Sequence, residues 1–276
     1  TTAVRVLEAL SPSVSYDFMT QNLGFTTLVN SDLNAAALGL GGLTYGVNTV
    51  EMAAAYSAFA NNGVYTRPRT YIEVRDNKGN LVLENKQESW VAMKESTAYS
   101  INELLKGVVR SGTGTEAAFS GMTIAGKTGT TSSNYDRHFV GYTPYYTAAV
   151  WIGYDQNASI RANGNPAAQL WKKAMSEAHE NLPNQNFNGS TADMTPVTVC
   201  TRTGLLQGPG CTDVQTVWVA ASNAPALVCD GHVAVNLCTE SGKLATEYCP
   251  AECVQSVNAI DFTTENLTAA WGYERT

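Results

Sequence analysis

Cysteine is absent from the first 199 positions of this 276-residue chain, and charge is scarce throughout. Asp, Glu, Lys and Arg make up 15%, against about 25% in an average soluble domain. No apolar run reaches the ~18 residues of a membrane-crossing helix. Basic residues are the minority, 17 against 24 acidic, for a net charge of −7. That balance excludes a protein that tracks nucleic-acid phosphates. An initiator Met and a basic-then-apolar leader are both missing at Thr1, so the chain is expected to be a piece of a longer one. What is present is a 44% apolar composition, globular and long enough for one large or two small domains. Its polar surface must come from Ser, Thr, Asn, Gln and Tyr, a balance common outside the cytoplasm.

The six cysteines are Cys200, Cys211, Cys229, Cys238, Cys249 and Cys253. Their clustering, with the Asn, Gly, Ser, Thr and Pro crowded between Gly189 and Pro196, marks a boundary. We expect a main domain over 1–190 and a Cys-rich extension over 191–276. Within the extension, Val197–Leu206 returns as Val235–Leu244 at an offset of 38 residues, and Cys211 and Cys249 keep that offset. An even cysteine count in a short terminal segment reads as a disulfide framework from an oxidising compartment. The repeat favours Cys200–Cys211 and Cys238–Cys249 and leaves Cys229–Cys253, though six cysteines allow many connectivities. The rival is zinc on Cys249, Cys253 and His232, without a Cys-x-x-Cys knuckle to support it. No metal and no cofactor are expected. His232, in Cys229-Asp230-Gly231-His232, reads as a turn residue.

The first 199 residues give a coarse element plan. Asn48-Thr49-Val50-Glu51 reads as a helix start with a capping side chain and Glu three residues on. Met52, Ala55, Tyr56 and Phe59 share a face, and Asn61-Asn62-Gly63 stops the helix in a left-handed turn. Two short strands flank Asp76–Asn80 as a hairpin. Ile101, Leu104, Leu105 and Val108 repeat at helical spacing, so 97–109 is an amphipathic helix. Residues 123–130, 139–142 and 145–154 read as antiparallel strands. Asn165-Pro166 opens a last helix, with Trp171, Ala174, Met175, Ala178 and Leu182 as its buried stripe. The fold class is α+β, an antiparallel sheet flanked by helices, plus a small disulfide-rich tail of strands and loops.

Gly121 to Thr128 fits the phosphate-loop pattern G-x-x-x-x-G-K-[ST] letter for letter. Such a loop must follow a buried strand and open a helix, whose N-terminal amides face the phosphates. Here the flanking residues make neither. The other reading is a strand, Lys127-Thr128-Gly129-Thr130, that walls a cleft. Gly129 lets an extended ligand approach the backbone. Thr128 and Thr130 can donate to a carboxylate, Lys127 supplies positive charge beside it, and the Thr130 N–H can serve an oxyanion. A solvent-facing strand with one Lys is the plainer alternative.

The surroundings add weight to the cleft. Leu40-Gly41-Gly42, Gly46 to Tyr56, Phe59 to Tyr65, Val108 to Thr115, Ala125 to Thr131, Phe139 to Pro144 and Val150 to Tyr154 follow one another in an order and spacing that resemble the transpeptidase domain of the class A penicillin-binding proteins. The resemblance covers about residues 1–185. The Cys-rich tail is similar, less distinctively, to extensions carried by some Gram-positive members. The resemblance implies serine acyl transfer on D-Ala–D-Ala stem peptides of peptidoglycan or its lipid-linked precursor. It also implies inhibition by β-lactams, action outside the cell, and an upstream membrane anchor and glycosyltransferase domain. Lys127, Thr128, Gly129 and Thr130 would then bind substrate.

The sequence departs from that family in one decisive way. Of its three motifs, only Lys-Thr-Gly is present. No Ser is followed three residues later by Lys, so no catalytic nucleophile lies in this chain. Ser-x-Asn occurs at Ser100–Asn102, Ser132–Asn134 and Ser256–Asn258, each read as coincidence. The family's Ser-x-Asn would end just before Thr1. The chain is therefore expected to be a C-terminal part, lacking two of the family's five strands, poorly soluble alone and unreactive with penicillin. His138, where the family has Trp, is read as a packing residue, and His179 as a cation near a helix C-terminus. The alternatives are a D,D-carboxypeptidase, a β-lactamase relative, and a non-catalytic wall-binding module.

Overall fold

In the computed structural model, which describes residues 2–271, the first unit runs to Thr191 and the second begins at Ala192. The first unit contains α1 (Thr2–Leu10), α2 (Pro12–Asp17), α3 (Ala35–Leu40), α4 (Thr49–Ala60), β1 (Val64–Thr66), β2 (Glu73–Arg75), β3 (Leu81–Glu84), β4 (Ser89–Val91), α5 (Glu95–Ser111), β5 (Ala125–Thr130), β6 (Arg137–Tyr142), β7 (Thr147–Ile152) and α6 (Pro166–Ala178). The punctuation residues act as their chemistry dictates. Asn48 Oδ1 accepts from the Glu51 N–H at 2.8 Å and starts α4. Glu51 does not reach back to close a capping box; its carboxylate takes the Thr26 hydroxyl at 2.6 Å instead. Asn62 (φ 52°) and Gly63 (φ 86°) turn left-handed at the helix end, and the Gly63 N–H reaches Ala58 O at 2.8 Å. Asn165 Oδ1 caps α6 through the N–H groups of Ala167 and Ala168.

The sheet is three antiparallel strands in the order β5-β6-β7. β6 is its centre, and its side chains alternate between two layers. Tyr142 packs against Tyr56 and Phe59 of α4. Phe139 points the other way, edge-on to Trp171 of α6. That second layer is a core of Val109, Ala117, Ile124, Phe139, Ala167, Ala168, Trp171 and Met175. Gly141 is required where α6 crosses, because a Cβ there would sit 2.9 Å from the Trp171 ring. α5 packs along β5.

Two expected stripes shift. In α5, Leu104 is exposed, and Ala98, Asn102 and Val109 are buried. Asn102 takes an inward position because two partners wait there: it donates to Phe59 O at 3.0 Å and accepts the Tyr142 hydroxyl at 2.6 Å. In α6 the buried face runs Ala167, Ala168, Trp171, Met175 and then His179, while Ala174 and Ala178 are exposed. His179 does not stand on the surface but is buried. Its Nδ1–H donates to Met175 O at 2.6 Å and Nε2 accepts the Thr143 hydroxyl at 2.7 Å.

The second unit is two hairpins, β8 (Met194–Cys200) with β9 (Val214–Ala220) and β10 (His232–Cys238) with β11 (Val254–Ile260), then α7 (Glu265–Trp271). The two copies of the repeat fold alike. Gly204 N–H bonds Cys200 O, and Gly242 N–H bonds Cys238 O, both at 2.8 Å. Gly204 and Gly242 both have positive φ. Gly208 N–H points at Cys211 Sγ as Thr246 N–H points at Cys249 Sγ. Asp230 anchors α7 by accepting from the Thr264 hydroxyl and the Asn266 N–H.

Candidate functional site

Lys127, Thr128, Gly129 and Thr130 all lie within β5, and the next element is β6. No helix opens after Thr128. The strand instead turns at Thr131–Asp136, with Asn134 left-handed at φ 55°. The phosphate-loop reading therefore lacks the helix it needs. β5 pairs only with β6, in the register Lys127↔Val140, Thr128↔Phe139, Gly129↔His138 and Thr130↔Arg137. Its other backbone edge has no strand beside it among the described residues.

The strand's alternation sorts the candidate residues. Lys127 and Gly129 share one face with Val140 and His138; Thr128 and Thr130 share the other with Phe139 and Arg137. Lys127 is exposed, and its ammonium donates to Thr128 O at 2.8 Å. Among the described residues the ion pairs are Arg67–Glu88, Arg75–Glu73, Lys86–Glu84 and Lys106–Glu103. Lys127 enters none, so its charge is left for an incoming anion. Gly129 presses its backbone against the neighbour strand: a Cβ there would be 3.1 Å from His138 Cβ. Burial lowers the His138 pKa, and the nearby Asp136 carboxylate offsets only part of that.

Two residues of this strand's surroundings carry no sequence motif. Thr113 Oγ1 sits 2.8 Å from Thr128 Oγ1. It is brought there by the tight segment after α5, where a Cβ on Gly112 would be 2.9 Å from Val108 Cα. Arg137 donates to the Thr130 hydroxyl at 3.3 Å, and its Nε is buried without a partner. The glycines flanking Thr113 are the signal that could have found it; Arg137 is visible only through the strand register.

The three Ser-x-Asn matches are structural. Asn102 bridges α4 and β6, Asn134 makes a turn, and Asn258 lies on β11.

Of the three expected disulfide pairs, the structure brings Cys200 and Cys211 together and Cys238 beside Cys249, with no bond drawn between them, while Cys229 and Cys253 do not meet. Cys229 gathers with Cys200, Cys211 and His232. Cys253 stands at the other end of the second hairpin, where its carbonyl accepts from the Thr239 N–H. His232 pairs with Ile260 and Cys238 with Val254. The length of that ladder, roughly 20 Å at ~3.4 Å per residue, separates Cys229 from Cys253, far beyond the ~7 Å Cα limit of a disulfide. The same distance breaks up the zinc trio of Cys249, Cys253 and His232. His232 is not a turn residue but the first residue of β10, with Nε2 3.2 Å from Cys200 Sγ. Burial works against a Cys200 thiolate, but hydrogen bonds from His232, the Thr203 hydroxyl and the N–H groups of Arg202 and Thr203 bring its pKa down to about 6.

Residues 10–176 match the family model described as the penicillin-binding protein transpeptidase domain. The chain belongs to that family. Among relatives of this penicillin-binding protein domain, penicillin-binding protein 1A of Clostridium acetobutylicum is 43% identical over 163 residues, 59% of this chain and 20% of that protein. Penicillin-binding protein 1A of Clostridium botulinum strain Langeland is 32% identical over 262 residues, 92% of this chain and 31% of that protein. The chain thus spans a third or less of the length of these relatives. In fold it is similar to the crystal structure of penicillin-binding protein 1A from Haemophilus influenzae, with a TM-score of 0.67 at 19% identity, over 82% of this chain and 39% of that one. It is also similar to penicillin-binding protein 3 from Mycobacterium tuberculosis complexed with aztreonam, with a TM-score of 0.55 at 21% identity, over 67% of this chain and 50% of that one.

Proposed function

We propose that this chain supplies one wall of the cleft of a peptidoglycan D,D-transpeptidase, with Lys127, Thr128, Gly129 and Thr130 as its substrate-binding strand. The single observation that carries the reading is an edge strand that carries, within four residues, an ammonium in no ion pair, two hydroxyls and a glycine, in a chain of this family. An extended stem peptide adds to the free edge of β5 by backbone hydrogen bonds. Lys127 and the hydroxyls of Thr128 and Thr130 hold its terminal carboxylate, and the Thr130 N–H stabilises the oxyanion.

The chemistry is acyl transfer. A serine supplied from outside this chain attacks the D-Ala–D-Ala amide, and D-Ala leaves with the proton that its nitrogen needs. An amine of a neighbouring stem peptide then takes the acyl group from the serine. β-Lactams acylate the same serine. The protein works outside the cytoplasmic membrane, as penicillin-binding proteins must to meet peptidoglycan. Among the described residues no helix is long and apolar enough to cross a membrane.

Labelling the full-length protein with a fluorescent penicillin tests this reading. One covalent band is expected, lost when the serine of its Ser-x-x-Lys is replaced. Lys127→Ala should slow acylation by about 100-fold or more, the scale of one lost transition-state contact. No band from the folded parent would leave a non-catalytic wall-binding module instead. Residues 1–276 alone, which hold no Ser-x-x-Lys, should not label.

A further inference from the structure

The second unit has little apolar surface to hold it together. Its buried cluster is Cys200, Leu205, Cys229 and Leu267, half of it thiols. Segments of this size with so small a core usually depend on a cross-link. One ligand atom each from Cys200, Cys211, Cys229 and His232 lies within 4.8 Å of the other three. A tetrahedral zinc, with bonds of about 2.3 Å to sulfur and about 2.0 Å to nitrogen, sets its ligands roughly 3.5–3.8 Å apart. A small contraction brings these four atoms to one centre.

The surroundings are those of a ligand set. His232 Nδ1–H donates to Asn258 Oδ1 at 2.9 Å, which leaves Nε2 facing Cys200 Sγ at 3.2 Å. Asn258 is itself fixed: its side-chain amide donates to Gly210 O at 2.9 Å, and Arg202 donates to its carbonyl at 2.8 Å. Such outer partners orient metal-binding imidazoles. The Gly208 N–H points at Cys211 Sγ at 3.3 Å, and N–H groups of Arg202 and Thr203 point at Cys200. Gly208 and Gly210 let the loop close down: a Cβ on the first would overlap the Cys229 carbonyl, and one on the second would sit 2.5 Å from His232 Cβ.

There are two rivals. A disulfide between two of the three sulfurs, such as Cys200 and Cys211, leaves the third thiol and His232 unlinked beside it, because Cys253, the partner that would even the count, is a ladder's length away. Cys200, His232 and Asn258 also line up as a nucleophile, base and orienting amide would. Cys200 is 0% exposed, so no substrate reaches its sulfur. We propose that Cys200, Cys211, Cys229 and His232 bind one zinc ion as a closed structural site that staples the β8–β9 hairpin to the start of β10. The second repeat copy offers Cys238, Cys249 and Cys253 without an imidazole, so the site is not duplicated.

The test is metal analysis of the full chain purified without chelator, with and without reductant. About one zinc per chain is expected, with His232→Ala reducing it at least fivefold. His232→Cys, which keeps a fourth thiolate, should restore it and shows that loss in the alanine variant is loss of a ligand. Cys253→Ser should leave it unchanged. Cobalt(II) in place of zinc should give the thiolate charge-transfer and intense visible bands of a tetrahedral sulfur-rich site. A zinc-free chain overturns the proposal, whether its intact mass shows a disulfide among Cys200, Cys211 and Cys229 or three free thiols. Full zinc occupancy in His232→Ala overturns it too. None of these readouts depends on penicillin labelling, so this site and the β5 cleft stand or fall separately.

Discussion

At the scale of single residues, the steric and polar demands are local enough to predict outcomes. Gly126 faces Phe139: a Cβ there would be 2.7 Å from Phe139 Cζ and 2.8 Å from Val140 O. Backbone cannot yield, so Gly126→Ala should lower stability by about 1–3 kcal/mol, read from denaturant midpoints. Gly129→Ala meets only His138 Cβ at 3.1 Å; it should leave the melting temperature nearly unchanged while slowing penicillin acylation of the full-length protein. Asn102→Leu removes the acceptor of the buried Tyr142 hydroxyl and the donor to Phe59 O, a loss of about 1–3 kcal/mol. Asp32 carries a pH effect. Hydrogen bonds from the Val29 N–H, the Thr44 hydroxyl and the Thr44 N–H hold its carboxyl below the usual range. A depressed carboxylate contributes stability above its unfolded pKa of about 3.9, and that contribution is lost as pH falls through the folded value. The melting temperature should therefore drop on acidification below about pH 4, and less steeply in Asp32→Asn.

At the scale of elements, the ends were legible and the faces were not. Asn48, Asn62-Gly63 and Asn165-Pro166 act within a few residues of themselves, so the sequence pattern alone located α4 and α6. Asn165→Ala removes bonds to two N–H groups and should cost about 1 kcal/mol, visible as a shift in the unfolding midpoint with an unchanged slope. Buried stripes depend on what lies opposite. Leu104 has the right spacing for the core of α5 and is exposed, whereas Asn102 is buried because Phe59 and Tyr142 satisfy it. His179 likewise takes the inward place that Ala178 was expected to hold, since the Met175 carbonyl accepts from its Nδ1–H and the Thr143 hydroxyl bonds its Nε2. Side-chain periodicity cannot register a partner 40 residues away.

At the scale of the whole molecule, the two units depend on different forces. The first has apolar layers on both faces of β5–β7. The second rests on its cysteine-centred cluster. Chelation with reductant should speed hydrogen exchange in β8–β11 and leave β5–β7 unchanged, as mapped by mass spectrometry. By itself the sequence determined the α+β class, the run of Lys127–Thr130 as a strand, and the 38-residue repeat, because alternation, caps and self-similarity are written along the chain. Only the tertiary structure decided that Cys229 and His232 join Cys200 and Cys211, and that Thr113 and Arg137 stand beside the strand's hydroxyls. Those are distances between residues far apart in the chain, and they are fixed by strand register and hairpin length, which spacing alone does not encode.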